Sequence, residues 1–387
     1  MAKKYPKDYW KVPFNLPHFV GTEIENIKNT KRIGQLSGEG FYTKNVQRWI
    51  ENNIHTKKAI LVHSCTAALE IMALSTKLKP GDEIIMPSFT FVTTANAFVL
   101  RGIKPVFVDI REDTLNINES LIESAITSKT KAIMCVHYAG VACEMDTIMK
   151  IGKKYNLLVF EDAAQGFLSK YKGRFLGSIG HLGAFSFHET KNITSGEGGS
   201  LLINDLKFKR LAEIAKDCGT NKNSYIKGEV SEYTWVNVGS SYGIGELDAA
   251  FLFAQMEKSR EITKRRVSLW REYHRLLEPL EKLGHLRRPI VPKDVIQNGH
   301  IYYILVKDNE TRNKLIQHLK ENGVMSVFHY IPLHSSKGGK KYSRVVGSMD
   351  VTNKVSKTLA RLPLYYDLSL NDVHHVVSCV KSFFDNS

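Results

Sequence analysis

The chain has 387 residues, 43% hydrophobic and 24% charged, which is ample apolar material for one large α/β domain plus a smaller one. Its net charge of +15 admits nucleic acid, acidic lipid or a phosphorylated small molecule as partner; the basic residues are spread out, densest in Lys3–Lys11 and Lys337–Lys341, so a solvated lysine-rich surface is the default reading. Five cysteines without a CxxC pair fit a reducing compartment better than disulfides or zinc, and no apolar stretch nears the ~20 residues of a membrane span, so a cytoplasmic chain without a signal peptide is expected.

In chain order, residues 58–205 alternate short apolar runs with amphipathic stretches. Strands are predicted over 59–62, 83–86, 105–108, 132–136, 157–160 and 200–203, and helices over 66–76, 93–100, 120–126 and 145–155. Gly81-Asp82 and Asn156 mark helix ends and turns. Strands rich in Val and Ile, separated by helices, predict a mostly parallel sheet covered on both faces. A long helical pattern follows over 245–283, with Gln255, Glu257, Arg260 and Lys264 on its polar side. Beyond Pro289 a second α/β pattern is predicted: strand 301–306, helix 311–321, strand 325–328 and a closing helix 371–384. The expected division is a large domain over 1–260 and a small C-terminal domain over 261–387.

The sequence lacks GxGxxG after a strand, GxxxxGK[ST], HExxH and an EF-hand loop, so dinucleotide, P-loop and common metal sites lose weight. Strand ends are where α/β proteins build sites. The predicted strand 157–160 runs into Glu161-Asp162-Ala163-Ala164-Gln165-Gly166. A carboxylate closing a buried strand needs a cationic partner, and the protonated ring nitrogen of pyridoxal phosphate is one; capping of the next turn is the plainer alternative. Lys191 lies between Ala184-Phe185-Ser186-Phe187-His188 and the glycine-rich Gly196-Glu197-Gly198-Gly199. A lysine that forms imines must be partly desolvated, although most loop lysines are simple surface charges. Ser64-Cys65-Thr66-Ala67 forms a strand-to-helix junction whose amides suit a phosphate or an ordinary N-cap. Phe89 and Phe91, after another strand, suit either a flat ring or the core.

These blocks resemble a known family. SCTAALE, PSFTFVTTANAF, VFVDI, HYAGVACEMD, EDAAQG, SFHETKN, GEGG and HYIPLH are similar to the DegT/StrS sugar aminotransferases, from Val12-Pro13-Phe14-Asn15 to Leu362-Pro363-Leu364-Tyr365. The resemblance implies a pyridoxal-phosphate-dependent fold of type I, the aspartate aminotransferase-like fold, in a homodimer with sites at the subunit boundary. It implies Lys191 as the Schiff-base lysine, Asp162 at the pyridine nitrogen and Gln165 near the ring hydroxyl. Thr66, Ala67 and Ser186 would hold the phosphate, with Phe91 stacking on the ring. His188 stands in the loop before the lysine, with a catalytic or a structural role.

Within the group the resemblance is closest to enzymes that move the amino group of L-glutamate to C4 of dTDP-4-keto-6-deoxy-D-glucose. The product would be the galacto or gluco 4-amino sugar, for O-antigen or enterobacterial common antigen. Amination at C3 is the alternative, and a basic nucleic-acid-binding regulator the remote one. Many members carry a GYNYR-like segment whose Asn reaches the neighbouring subunit's phosphate and whose Arg binds the donor. Here it reads Gly239-Ser240-Ser241-Tyr242-Gly243, with Ser241 as the candidate replacement for Asn and nothing in place of Arg. The segment His329–His334 is expected near the site, and lysines of a 337–341 loop are candidates for the diphosphate.

Overall fold

A computed structural model describes residues 9–385, so residues 3–8 of the N-terminal basic patch lie outside it. Fourteen strands form three sheets among the described residues. The large sheet contains β1 (Lys58–Val62), β2 (Glu83–Pro87), β3 (Lys104–Val108), β4 (Thr130–Val136) and β5 (Leu158–Asp162). A small ribbon, β6 (Lys170–Tyr171) and β7 (Arg174–Phe175), precedes β8 (Leu182–Ser186) and β9 (Gly199–Ile203), which rejoin the large sheet. Further on come β10 (Leu286–Arg287), β11 (Val295–Ile296), β12 (Tyr302–Val306), β13 (Arg344–Val345) and β14 (Leu359–Leu362). The large sheet runs β1-β9-β8-β5-β4-β2-β3-β13, and β9 alone of the eight runs against the rest. β10-β12-β14 form an antiparallel sheet, and β11 completes the ribbon of β6 and β7.

The expected mostly parallel sheet is present because its strands are apolar on both faces. Ile84, Ile85, Met86, Ile133, Met134, Cys135, Val159 and Phe160 are fully buried. One core cluster lies on the face that helix Phe41–Ile54 covers, with Val46 and Ile50 against Leu61 and Ile85. The other packs Ala68, Met72 and Phe98, from helices Cys65–Ser75 and Val92–Val99, against Ile84, Met86 and Phe160. Glu246 fixes the entry of helix Phe41–Ile54, for its carboxylate accepts the amides of Gly40 (3.0 Å), Tyr42 (2.8 Å) and Thr43 (3.1 Å). Those are N-terminal donors that the helix itself leaves without acceptors.

The long helix is real and spans Glu246–Lys282. Its second half packs Leu269, Tyr273 and Leu277 against Tyr302, Ile304, Ala360 and Leu362. Val12 joins that cluster and pairs with Val324, so the N-terminal segment reaches the C-terminal sheet.

Three local expectations change. The strand predicted at 325–328 is a loop, because its backbone groups go singly to different partners: Met325 N donates to Val12 O (2.9 Å) and Val327 exchanges with Arg361. The helix predicted over 120–126 divides into a short 3-10 turn, Glu119–Leu121, and Ile122–Ala125. The 337–341 loop is a helical turn, Lys337–Tyr342. Strand β8, fully buried at the centre of the sheet, had no counterpart in the sequence reading, because Gly183 and the following Ser186 and His188 break its periodicity.

Gly199 begins β9 against the turn that starts helix Cys65–Ser75. A Cβ there would stand 2.4 Å from the Ser64 carbonyl carbon and 2.5 Å from the Cys65 nitrogen. Neither backbone atom can retreat without moving β1 or the helix. Gly199→Ala is therefore expected to cost about 1–3 kcal/mol by overpacking. A urea midpoint equal to that of the natural chain would refute this account.

Candidate active site

The carboxyl ends of β4, β5 and β8 open into a cavity of about 490 Å³ that also receives residues from the C-terminal sheet. That volume lies in the range of small-molecule sites. Asp162 ends β5 and points into it, while the preceding Glu161 faces the other way. Glu161 is buried and accepts from Gly177 N (2.8 Å) and Ile179 N (2.7 Å), so the two carboxylates have separate duties. The Asp162 oxygens accept the Thr94 hydroxyl at 2.7 Å and the Ala164 amide at 3.1 Å. These bonds fix the carboxylate and leave lone pairs for a further donor.

Lys191 lines the same cavity. Its loop is anchored at both sides. Lys191 N donates to His188 O (2.9 Å), Asn192 Nδ2 donates to Asn298 O (2.8 Å), and His300 Nδ1 bonds Asn192 Oδ1 at 2.9 Å. Burial lowers the Lys191 pKa, with Cys65 and Asp162 acting in the opposite direction. The amine thus has a larger neutral, nucleophilic fraction near neutral pH than a surface lysine. Burial, and then the charge of Lys191, hold His300 well below the usual histidine range, so it meets the site as a neutral ring.

Helix Cys65–Ser75 starts at this cavity. Ser64 Oγ caps it by accepting Ala67 N at 3.1 Å, while the Cys65 and Thr66 amides have no acceptor within the helix. Ser64, Cys65, Thr66 and Ser186 line the cavity, whereas Ala67 is buried behind them with its amide committed to Ser64. The helix N-terminus and three hydroxyls therefore make a pocket for a dianion.

Gln165 lines the cavity. Its Oε1 accepts Ala139 N at 2.7 Å and its Nε2 donates to the Tyr330 hydroxyl at 2.9 Å. Phe91 stands at the rim and is 57% exposed, a position open to stacking on a ring. His188 also lines the cavity and bonds Thr190 Oγ1 at 3.0 Å.

Ser241 lies elsewhere. It faces a separate cleft with Glu39, Lys216 and Cys218. Lys337, Lys340 and Lys341 do not line the Lys191 cavity and are exposed. Of the 329–334 segment, His329 and Tyr330 do line it. Tyr330 has a φ of 42°, which is strained for an aromatic residue, and its ring stacks on His329 with centroids 3.7 Å apart.

Several lining residues had no assigned role in the sequence, Arg266, His300 and Arg361 among them, and Asn15 appeared only as part of the opening block of the resemblance. Asn15 Nδ2 donates to Glu189 O at 3.2 Å, which ties the N-terminal segment to the lysine loop. Such contacts join positions more than a hundred residues apart, and no local pattern records them. Among the described residues no group of three or more His, Cys, Asp or Glu side chains gathers to hold a metal.

The model of the DegT/DnrJ/EryC1/StrS aminotransferase family matches residues 18–381. The chain belongs to that family. It is 36% identical over 367 residues to the uncharacterized protein MJ1066 of Methanocaldococcus jannaschii, covering 93% of this chain and 94% of that one. It is 33% identical to the spore coat polysaccharide biosynthesis protein SpsC of Bacillus subtilis, covering 96% of both. Among solved structures it superposes on the putative sugar aminotransferase Spr1654 of Streptococcus pneumoniae in its PMP form with a TM-score of 0.89. That pair is 27% identical, over 97% of this chain and 100% of the other. The fold is type I, and the protein is a pyridoxal-phosphate-dependent sugar aminotransferase.

The residues present fit that cofactor. The cavity offers a desolvated amine, a fixed carboxylate with spare lone pairs, and a helix N-terminus with hydroxyls. These meet the three polar features of the cofactor: its aldehyde, ring nitrogen and phosphate. Asp162→Asn should bind cofactor yet lower turnover by at least a hundredfold, on the order of losing one charge-stabilising group. Steady-state rates with a saturating keto sugar test this, and a variant within tenfold of the natural enzyme would argue against Asp162 as the ring-nitrogen partner.

Proposed function

We propose that this aminotransferase moves the amino group of L-glutamate to C4 of dTDP-4-keto-6-deoxy-D-glucose, giving a 4-amino-4,6-dideoxy sugar nucleotide for a cell-surface polysaccharide. The observation that carries the reading is the pairing of Lys191 and Asp162 in one cavity, with blocks such as HYAGVACEMD and SFHETKN around them. The name of SpsC supports a polysaccharide precursor as product. The net charge of +15 suits an acidic nucleotide-linked substrate.

When bound, pyridoxal phosphate supplies an electrophilic carbon and an electron-accepting ring. Lys191 would hold that carbon through its amine, and its lowered pKa suits it to take up and return a proton at the reacting carbon. Asp162 would hold the protonated ring nitrogen. Thr94 keeps Asp162 aimed there, through the 2.7 Å bond. Ser64, Thr66, Ser186 and the Cys65 and Thr66 amides would hold the phosphate. Gln165, positioned by Tyr330, would meet the ring hydroxyl. Phe91, at the rim, would stack on the ring.

The homodimer has its own support. Ile226, Val230, Tyr233, Trp235, Val236 and Val238 are all exposed, in one segment. Monomers rarely leave so much contiguous apolar surface in water. A partner over this segment would bury it and place Ser241 near the neighbouring cavity, as relatives place their Asn. The pair Trp235→Glu and Val238→Glu should shift the protein to monomer, weakening association by roughly a hundredfold or more. Sedimentation velocity checks it, and an unchanged dimer would remove this segment from the interface.

Incubation with L-glutamate and dTDP-4-keto-6-deoxy-D-glucose should yield a C4-aminated sugar. Determination of its C4 configuration decides between the galacto and gluco products. Amination of a 3-keto sugar instead would move the reading to C3. Lys191→Ala should retain no hydride-reducible cofactor link and turn over nothing measurable. Turnover by that variant at the natural rate would refute the assignment.

A further inference from the structure

Asn192 directly follows Lys191, and its side chain fixes the state of a neighbouring histidine. Asn192 Nδ2 donates to the Asn298 carbonyl at 2.8 Å, and a carbonyl can only accept, so the amide has one orientation. Asn192 Oδ1 therefore faces His300 Nδ1, 2.9 Å away, and that nitrogen has to carry the proton. Burial first, then Lys191, Arg266, His329 and Arg361, hold the His300 ring neutral. A neutral ring with its proton on Nδ1 has a bare lone pair on Nε2. No described residue donates to that lone pair.

His300 and Lys191 line the main cavity together, and they also share a smaller hollow with Gln165, Ser186, Asn192 and Asn298. The other side-chain nitrogens lining that hollow already have acceptors: Gln165 donates to Tyr330, Asn192 to Asn298, and Asn298 to the carbonyls of Gln165 and Phe167. The Lys191 amine has none among the described residues. We propose that His300 Nε2 is the resting acceptor for the Lys191 amine, the group that receives it whenever it is not bonded to the cofactor. His300 is then a positioning residue, and the assignment rests on Lys191 being the amine that holds the cofactor. A free lysine amine sits on a flexible four-carbon stem and has many rotamers to lose before it can reach one carbon again. An acceptor confines it. A carboxylate in that place would confine it too, but would keep it protonated and useless as a base. A neutral imidazole accepts from the ammonium and from the amine alike. Its burial among cations stops the ring from taking the proton away, so the proton stays on Lys191. Burial and Arg361 oppose the charged amine, and Cys65 and Asp162 support it; His300 acts on the same balance through one hydrogen bond.

The test reads the protonation of Lys191 rather than turnover. The whole chain, freed of cofactor, is pulsed with trace acetic anhydride across a pH series, and acetylation of Lys191 is followed by mass spectrometry. In His300→Phe the rising limb should move to lower pH, with labelling on that limb on the order of tenfold faster, because a hydrogen bond to the ammonium is lost. The plateau at high pH, where all of the amine is neutral, should stay the same, which separates protonation from access. His300→Gln, whose amide donates to Asn192 and still offers an oxygen to the amine, should return most of the way to the natural profile. Nitrogen NMR of the natural protein should show His300 Nε2 without a proton, and Lys191→Met should move that signal. The proposal is overturned by an unmoved limb in His300→Phe, by a His300→Gln profile that matches His300→Phe, by a protonated Nε2, or by a signal indifferent to Lys191→Met. If His300→Phe does not fold, the NMR comparison decides. Borohydride reduction of the holoenzyme is the separate check: a cofactor joined to another lysine would instead overturn the assignment of Lys191 itself.

Discussion

A lysine amine and an aspartate carboxylate in one desolvated cavity attract each other strongly, and contact between them would close the space where a ring has to fit. Lys191 and Asp162 form no such ion pair. Each is restrained from behind. Asp162 ends a central strand and gives its oxygens to Thr94 and Ala164. Lys191 stands in a loop tied through Asn192 to Asn298 and His300. The separation therefore belongs to the scaffold rather than to the side chains. It explains why the strand ends, the helix Val92–Val99 that carries Thr94, and the segment around residues 298–300 must all be in register for the pocket to exist.

The same restraint explains what could be read from sequence. Strands β2, β3, β4 and β5 were legible because a strand buried on both faces must be almost wholly apolar, and few other segments are. The long helix was legible because its polar side recurs over ten turns. Asp162 and Gln165 stand out because polar residues directly after a buried strand need a reason to be there, and Lys191 because it lies between aromatic and glycine-rich segments; all three line the one cavity. Strand β8 was hidden, since Gly183 packs against Gly177 and carries no apolar signature of its own. The loop at 325–328 was misread because its apolar residues serve separate partners, Val12 and Arg361, rather than one neighbouring strand.

The residues that no pattern disclosed come from the C-terminal sheet. Arg361 sits on β14, opposite Tyr303 of β12, and reaches the cavity only because β14 is brought beside the lysine loop. In sequence it is an arginine among apolar residues at a strand edge, which is indistinguishable from one that snorkels to solvent. Its meaning lies in what it lacks, a partner for Nε, and that is a property of the folded cavity alone. Ala67 shows the converse. Its position in the motif is right for a phosphate, but the N-cap serine takes its amide, and the neighbouring amides of Cys65 and Thr66 are the ones left open.

The absence of an arginine at position 243 then acquires a physical context. Gly243 is exposed, and a Cβ there would meet nothing within 4 Å, so packing does not explain why a long side chain is missing. That segment faces the cleft of Glu39, Lys216 and Cys218 and not the cavity of Lys191. A cation on β14 serves the cavity of its own chain and is fixed by the sheet rather than by association. The unpaired guanidinium inside the pocket is thus held by the fold of its own chain, and the exposed glycine at the cleft adds no charge to it.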